Sequence, residues 1–319
     1  MFKKLFFVLL FPYFYSLSSS FPQVDILADF DLIDIPTDWT QVKALFDVRL
    51  FSFASIKGYK AHHYKESVKR IIFMNPYVAR EKSDFLLLPR EKTVLFCWEP
   101  APIDPFYLKN VGRVYTYNDM LLDNKHFFKF FYPYAKEMIS EIPSFEQKKF
   151  CTLVTRHFTP ERIEVVKFFN NKKSGEFDFY GANPGPFEKN KNYKGPIPGY
   201  HSGLEKVEIL KNYKFCMCFE NTYHLKGYIT EKIFSCFSAG CVPIYYGAPN
   251  VYEYIPKNCF IDYRDFSNLQ SLYQFLKRMS GATYQRYIDN IKSYLLSSKV
   301  FLFSPQHFEQ IIINAVKAF

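Results

Sequence analysis

Short apolar runs recur through the first part of the chain at 24–28, 70–74, 85–88, 94–98 and 113–117. Runs of this length, rich in β-branched and aromatic residues and separated by longer segments, predict the strands of an α/β sheet. A polar stretch at 136–149 that holds Pro143 predicts a linker. Beyond it the pattern alternates more cleanly. Strands are expected at 149–154, 176–180, 215–219 and 242–246, and helices at 161–170, 203–212 and 231–239. In the first of these helices Ile163, Val166 and Phe169 fall near helical spacing. The segment 182–203, rich in Gly, Pro, Asn and Lys, reads as a loop. Strand–helix alternation predicts a parallel, right-handed, doubly wound sheet. At the end of the chain Phe308, Ile311, Ile312, Ala315 and Phe319 share one face of a helix over 305–319, a docking helix rather than a membrane anchor.

The fold expected is therefore α/β, with domains at 21–145 and 146–304 and the C-terminal helix after them. The length of 319 residues suits two domains of roughly 100–200 residues each. Residues 1–20 stand apart: Lys3-Lys4, an apolar run from Leu5 to Phe11, then Ser16 to Ser20. That order resembles a secretory signal peptide. A weak membrane-surface anchor or a first buried strand would fit the same residues, which Pro12 keeps too short to span a bilayer of about 20 apolar residues. Localisation stays open between membrane-associated and cytoplasmic.

The net charge of +10 suits an anionic partner such as a nucleotide diphosphate or a lipid surface. Short basic clusters occur at Lys148-Lys149, Lys172-Lys173 and Lys189 to Lys194, without an aromatic-basic RNA-binding motif, so no nucleic-acid partner is expected. The aromatic fraction of 20% reflects the same compositional bias that enriches Lys and Asn. Seven scattered cysteines show neither zinc spacing nor a disulfide framework, which fits a reducing compartment.

The chemistry concentrates in three linked runs: Phe219-Glu220-Asn221-Thr222, Tyr228-Ile229-Thr230-Glu231-Lys232, and Gly240 to Gly247. Glu220 and Asn221 follow an apolar strand, at the carboxyl edge where parallel sheets bind ligands. Thr230 reads as an N-cap whose hydroxyl accepts from an early helix N–H. Glu231 and Lys232 then occupy the first helical turn, beside free N–H groups that favour an anion. A cation there opposes the helix dipole, so Lys232 is oddly placed unless a diphosphate sits nearby. Glu231 is suited to accept from ribose hydroxyls.

The run from Phe219 to Pro249 resembles the donor-binding signature of α-1,3/4-fucosyltransferases, the bacterial members in particular, and the likeness extends over about 94–266. This resemblance implies the GT-B architecture of two facing Rossmann-like domains, GDP-β-L-fucose as donor, a glycan acceptor and inversion at the anomeric carbon, with an α-1,3 linkage. It implies donor contacts from Tyr228, Thr230, Glu231 and Lys232, with Glu220 and Asn221 matching the family's acidic and amide pair. Arg162, with Arg156 close by, matches an arginine that reaches the β-phosphate. Glu99, in Phe96-Cys97-Trp98-Glu99-Pro100, matches the general base. Inverting transfer needs such a carboxylate on the acceptor side and cations on the leaving-group side.

No metal ligand is assigned and no cofactor is required. Asp29-Phe30-Asp31 matches a metal-binding triplet of another transferase architecture but has no nucleotide-binding unit before it, and His62-His63, His201 and His224 lack partners at metal spacing. Tyr180-Gly181 ends a strand where the nucleotide is expected. The alternatives are a GT-B transferase using another nucleotide sugar, or a non-catalytic carbohydrate-binding protein.

Overall fold

The structure is a computed structural model that describes residues 21–27, 38–51, 68–74, 86, 88–198 and 203–318. The segment 1–20, the Asp29-Phe30-Asp31 triplet, His62-His63, His201, Phe85, Leu87 and Phe319 lie outside these residues.

Two all-parallel sheets organise the chain. The first holds β1 (Gln23–Leu27), β2 (Asp47–Phe51), β3 (Val68–Phe73), β4 (Thr93–Cys97), β5 (Arg113–Thr116) and β6 (Phe127–Lys129), in the order β2-β1-β3-β4-β5-β6. The second holds β7 (Lys149–Val154), β8 (Phe177–Tyr180), β9 (Tyr213–Phe219), β10 (Val242–Tyr246) and β11 (Ile261–Asp262), in the order β11-β10-β9-β7-β8. All described pairings within both sheets are parallel. β4 and most of β9 are buried along their length, which is why both read as nearly continuous apolar runs. The seven cysteines are all free and buried, Cys216 and Cys218 in β9 among them.

Of the strand expected at 85–88 the described residues are Leu86 and Leu88, and neither is in a strand. In the run 85–88, Leu86 is helical and 57% exposed, and Leu88 lies in a bend. Three strands had no clear signal. β2 begins with the charged Asp47 and Arg49, β6 has three residues, and β11 has two.

The second sheet is covered by α3 (Pro160–Asn170), α4 (Leu204–Leu210), α5 (Glu231–Ser238), α6 (Leu269–Arg278) and α7 (Gly281–Leu295). The first carries α1 (Thr40–Lys43) and α2 (Pro105–Asn110). The last helix, α8 (Pro305–Lys317), starts with Ser304 capping the His307 N–H at 3.1 Å and Pro305 at the first helical position. It then returns to the first sheet. Phe308 meets Phe96 at 5.7 Å and Trp98 at 5.5 Å between ring centres. Burying a side chain of that size contributes about 1.5–3 kcal/mol. Glu309, 3% exposed, accepts from the backbone N–H groups of Gln41 (2.7 Å) and Val42 (3.0 Å) and so caps α1. The end of the chain thus completes the layer begun by its start. Among the described residues no helix is long and apolar enough to cross a membrane.

Candidate functional site

The carboxyl ends of β9 and β10 lie side by side, and Glu220 leaves β9 with its N–H bonded to the Tyr246 carbonyl at 2.8 Å. Its side chain turns inward beneath Gly247, where a Cβ would stand 2.6 Å from the Glu220 Cγ. The carboxylate accepts from the Thr230 N–H (2.9 Å), the Thr230 hydroxyl (2.8 Å) and Lys232 Nζ (3.0 Å). This corrects one expectation. Thr230 sits at the N-cap of α5 with extended backbone, but its hydroxyl makes no capping bond and donates to Glu220 instead. The hydroxyl oxygen accepts from Lys232 Nζ at 3.1 Å rather than from a helix N–H, so the buried carboxylate and its lysine orient this side chain.

Lys232 is therefore not an unpaired cation in a first turn. Its ammonium meets Glu220 at 3.0 Å and Glu231 at 3.6 Å. Burial alone would lower its pKa, yet Glu220 and Glu231 outweigh that and raise it. Glu231 shows the converse. Burial works against its charge, but Lys232 and then Lys206, with smaller hydrogen-bond contributions, hold its pKa down to about 2. Lys206 reaches Glu231 from α4 at 3.8 Å.

Arg162, on the first turn of α3, is 2% exposed. It donates to the carbonyls of His157 (2.7 Å) and Phe219, to Thr155 Oγ1 (3.1 Å) and to Asn221 Oδ1 (3.0 Å). The guanidinium thereby stitches the loop after β7 to the end of β9. Its Nε has no hydrogen-bond partner among the described residues, and burial, only partly offset by Glu220 and Glu231, lowers its pKa. Around the mouth of β9 stand Lys206, Lys232 and Arg162 against Glu220 and Glu231, three cations to two carboxylates. These cations and the N-terminus of α5 together favour an anion on this side of the site.

Glu99 follows β4 on the first sheet and is exposed. The turn carrying it is pinned by two hydroxyls, Tyr117 donating to the Glu99 carbonyl at 3.3 Å and Tyr132 to the Trp98 carbonyl. Tyr228 comes from the second half of the chain, 3% exposed, and packs among these same rings, 4.8 Å from Tyr117 and 6.0 Å from Tyr132. Burial, then Glu220, Glu99 and Glu231, push the Tyr228 hydroxyl well above its ordinary pKa. Tyr228 thus links the turn that carries Glu99 to the segment bonded to Glu220.

A family description, "Glycosyltransferase family 10 (fucosyltransferase) C-term", matches residues 143–310, more than half of the chain. The chain belongs to glycosyltransferase family 10. Family 10 relatives include the mouse and human 4-galactosyl-N-acetylglucosaminide 3-alpha-L-fucosyltransferase 9, each 33% identical over 143 residues. The match covers 44% of this chain and 35% of either relative, so it spans about a third of their length. An Arabidopsis alpha-(1,4)-fucosyltransferase is 40% identical over 70 residues, covering 22% of this chain and 17% of the relative. Among solved structures, an alpha1,3-fucosyltransferase with GDP-fucose superposes with a TM-score of 0.61 at 13% identity, covering 97% of this chain and 94% of that one. The T4 phage β-glucosyltransferase superposes with a TM-score of 0.52 at 11% identity, covering 92% and 99%. At such identities the likeness is one of fold, the GT-B arrangement of two parallel sheets.

Within this family 10 chain the residues singled out from the sequence divide by depth. Glu220 and Arg162 are buried and hold the crevice together, whereas Asn221 and Glu99 are exposed and Glu231 and Lys232 partly so. Tyr180 turns its hydroxyl to Tyr213 at 2.8 Å, and Tyr213 donates to Asp178 at 2.7 Å. Its neighbour Gly181 is pressed so close to the loop after β7 that a Cβ would stand 1.8 Å from the Thr155 carbonyl oxygen. Lys206 went unnoticed because only the packing of α4 on α5 brings it to Glu231. Also missed were Tyr223 and Tyr246, stacked at 4.6 Å, with Tyr263 5.4 Å from Tyr246. Tyr246 closing an apolar strand was their one sequence signal. No group of three or more His, Cys, Asp or Glu suited to a metal occurs among the described residues.

Proposed function

We propose that the protein transfers L-fucose from GDP-β-L-fucose to a glycan hydroxyl with inversion, forming an α-1,3 linkage, and that no divalent metal is essential. The observation that carries this reading is that Tyr228 packs against Tyr117 and Tyr132, whose hydroxyls hold the turn that carries Glu99, while Thr230 and Lys232 just after it are bonded to Glu220. An exposed carboxylate on one side of a cleft and a helix N-terminus beside cations on the other are the two halves an inverting transfer requires. Glu99 takes the proton of the attacking hydroxyl. As the bond from the anomeric carbon to the β-phosphate oxygen breaks, the charge gathering on GDP is met by Lys232 and the first N–H groups of α5. Glu231 accepts from hydroxyls of the donor, and Arg162 holds the β9 edge in register for them.

The printed names of the mouse and human relatives supply the first acceptor to test, a galactosyl-N-acetylglucosaminide. GDP should raise the melting temperature in a dose-dependent way through mass action, and UDP much less. Product should form from GDP-fucose but not from GDP-mannose or UDP-sugars, with or without a chelator. Equal shifts with GDP and UDP, or transfer from a UDP-sugar alone, would assign the site to a different donor.

A further inference from the structure

The loop that carries Tyr228 into the first half of the molecule is tied down by a polar cluster distinct from the crevice. Asp119 begins the short turn after β5 and donates its own N–H to the Lys226 carbonyl at 3.2 Å. One carboxylate oxygen accepts from Lys129 Nζ at 2.6 Å. The other accepts from Asn250 Nδ2 at 2.9 Å and from the Tyr254 hydroxyl at 2.8 Å. Asn250 in turn accepts the Gly227 N–H through Oδ1 at 2.9 Å. Asp119 and Lys129 belong to the first sheet's half of the chain, and Asn250, Tyr254 and Gly227 to the second's.

At Gly227 the two halves press close together. Its φ of +80° suits glycine, and a Cβ would stand 2.3 Å from the Tyr117 carbonyl oxygen, 2.5 Å from Lys129 Nζ and 2.8 Å from Asp119 Oδ2. Three residues later Thr230 is bonded to Glu220 on the second sheet. The stretch between them, Tyr228 and Ile229, is thus fixed at one end to each sheet. Lys129 and Asp119 are largely buried, with side-chain exposures of 17% and 18%, so the ion pair is shielded from the screening that weakens surface pairs.

We propose that Asp119 is a positioning residue for this loop: through Asn250, Tyr254 and the Lys226–Gly227 backbone it fixes how Tyr228 and the α5 N-terminus stand relative to Glu99. The proposal rests on the fucosyl-transfer reading, in which chemistry needs groups of both sheets while GDP docks on the second alone. Loosening the tie therefore separates the two steps. Misplacement by about 1 Å is enough to cost a hundredfold in rate.

Three variants test this. Tyr254→Phe deletes one bond and leaves no charge unpaired; it should fold normally, keep its GDP Kd within about twofold and lose about tenfold in kcat at saturating GDP-fucose, a modest share of that misplacement cost. Asp119→Leu removes the acceptor for Asn250 and Tyr254 and should lose about a hundredfold in kcat with GDP affinity close to wild type. Because that change strands a buried Lys129 charge, the double variant Asp119→Leu/Lys129→Met should regain part of the lost melting temperature but not kcat. Hydrogen exchange across 222–230 should rise in both Asp119 variants, a readout independent of the donor. A double variant whose kcat recovers with its stability, GDP binding that weakens in step with kcat, or unchanged exchange at 222–230 would each overturn the positioning role. Wild-type protein inert towards GDP-fucose would instead sink the functional reading, leaving the exchange measurement to decide on Asp119.

Discussion

Replacing Lys232 tests both what holds the crevice together and what it is for. The Lys232 ammonium lies 3.0 Å from a Glu220 carboxylate whose side chain is fully buried. At that distance and an effective dielectric near 20 the attraction is about 5 kcal/mol. Lys232→Met removes it and leaves Glu220 with only the Thr230 N–H and hydroxyl. Deleting one partner of a buried pair costs about 3–5 kcal/mol, most of it the stranded charge. The lower figure is expected here, because those two bonds persist and Lys232 itself is partly exposed. Such a loss is a large share of a typical stability of 5–15 kcal/mol, so low activity of this variant alone would say little about catalysis. The informative protein is Lys232→Met/Glu220→Gln, in which the amide keeps an acceptor for the Thr230 N–H and no charge is stranded. Denaturant unfolding should show about 2 kcal/mol regained over the single variant, while GDP binding stays at least tenfold weaker than wild type. A single variant within about 0.5 kcal/mol of wild type would show the pair to be solvent-screened. A double variant that regains GDP affinity would show that the Lys232 charge does not meet the diphosphate.

Glu99→Gln keeps shape but cannot take a proton, so turnover should fall about 10²–10⁴-fold with GDP binding unchanged; intact turnover would move the base elsewhere. Glu231 has a folded pKa of about 2 against an ordinary 4.5, so its stabilisation is complete above about pH 4.5 and is lost as pH falls towards 2. Acid unfolding of Glu231→Gln should accordingly lose that part of its pH dependence, and an unchanged acid transition would refute the pairing with Lys232 and Lys206. Glu309→Ala leaves the Gln41 and Val42 N–H groups without their acceptor and should cost about 2–4 kcal/mol, read as a lowered unfolding midpoint without loss of GDP affinity.

How much of this was legible in the chain depended on whether the information was local. β4, β9 and β10 are largely buried parallel strands, and burial on both faces writes itself as a nearly unbroken apolar run. β2 and β6 are the edge strands of the first sheet, so their residues carry no such signature. At Leu86, helical rather than extended, the apolar run gave no guidance, because a short apolar segment has no period by which a helix could be told from a strand. The crevice followed the same rule. That Glu220, Thr230 and Lys232 belong together was visible in their spacing from strand end and helix start. The direction of the bonds was not, because it depends on how deep Glu220 lies, and depth is set by Gly247 and β10.

The cluster around Asp119 shows why one part of a site escapes even a specific motif. The signature from Phe219 to Pro249 contains Gly227 and stops one residue short of Asn250, and in the sequence both look like ordinary loop residues. Their meaning comes from Asp119, 131 positions before Asn250, and from the Tyr117 carbonyl that Gly227 faces. A glycine needed for close approach and a carboxylate with three donors leave no periodic trace, since each satisfies a contact made only after two sheets have folded and met. The transfer proposed above, shared between groups of two sheets, has to fix their relation somewhere. The residues that do so are set by the interface rather than by the substrate, so a donor signature marks the crevice and passes over the joint that aims it.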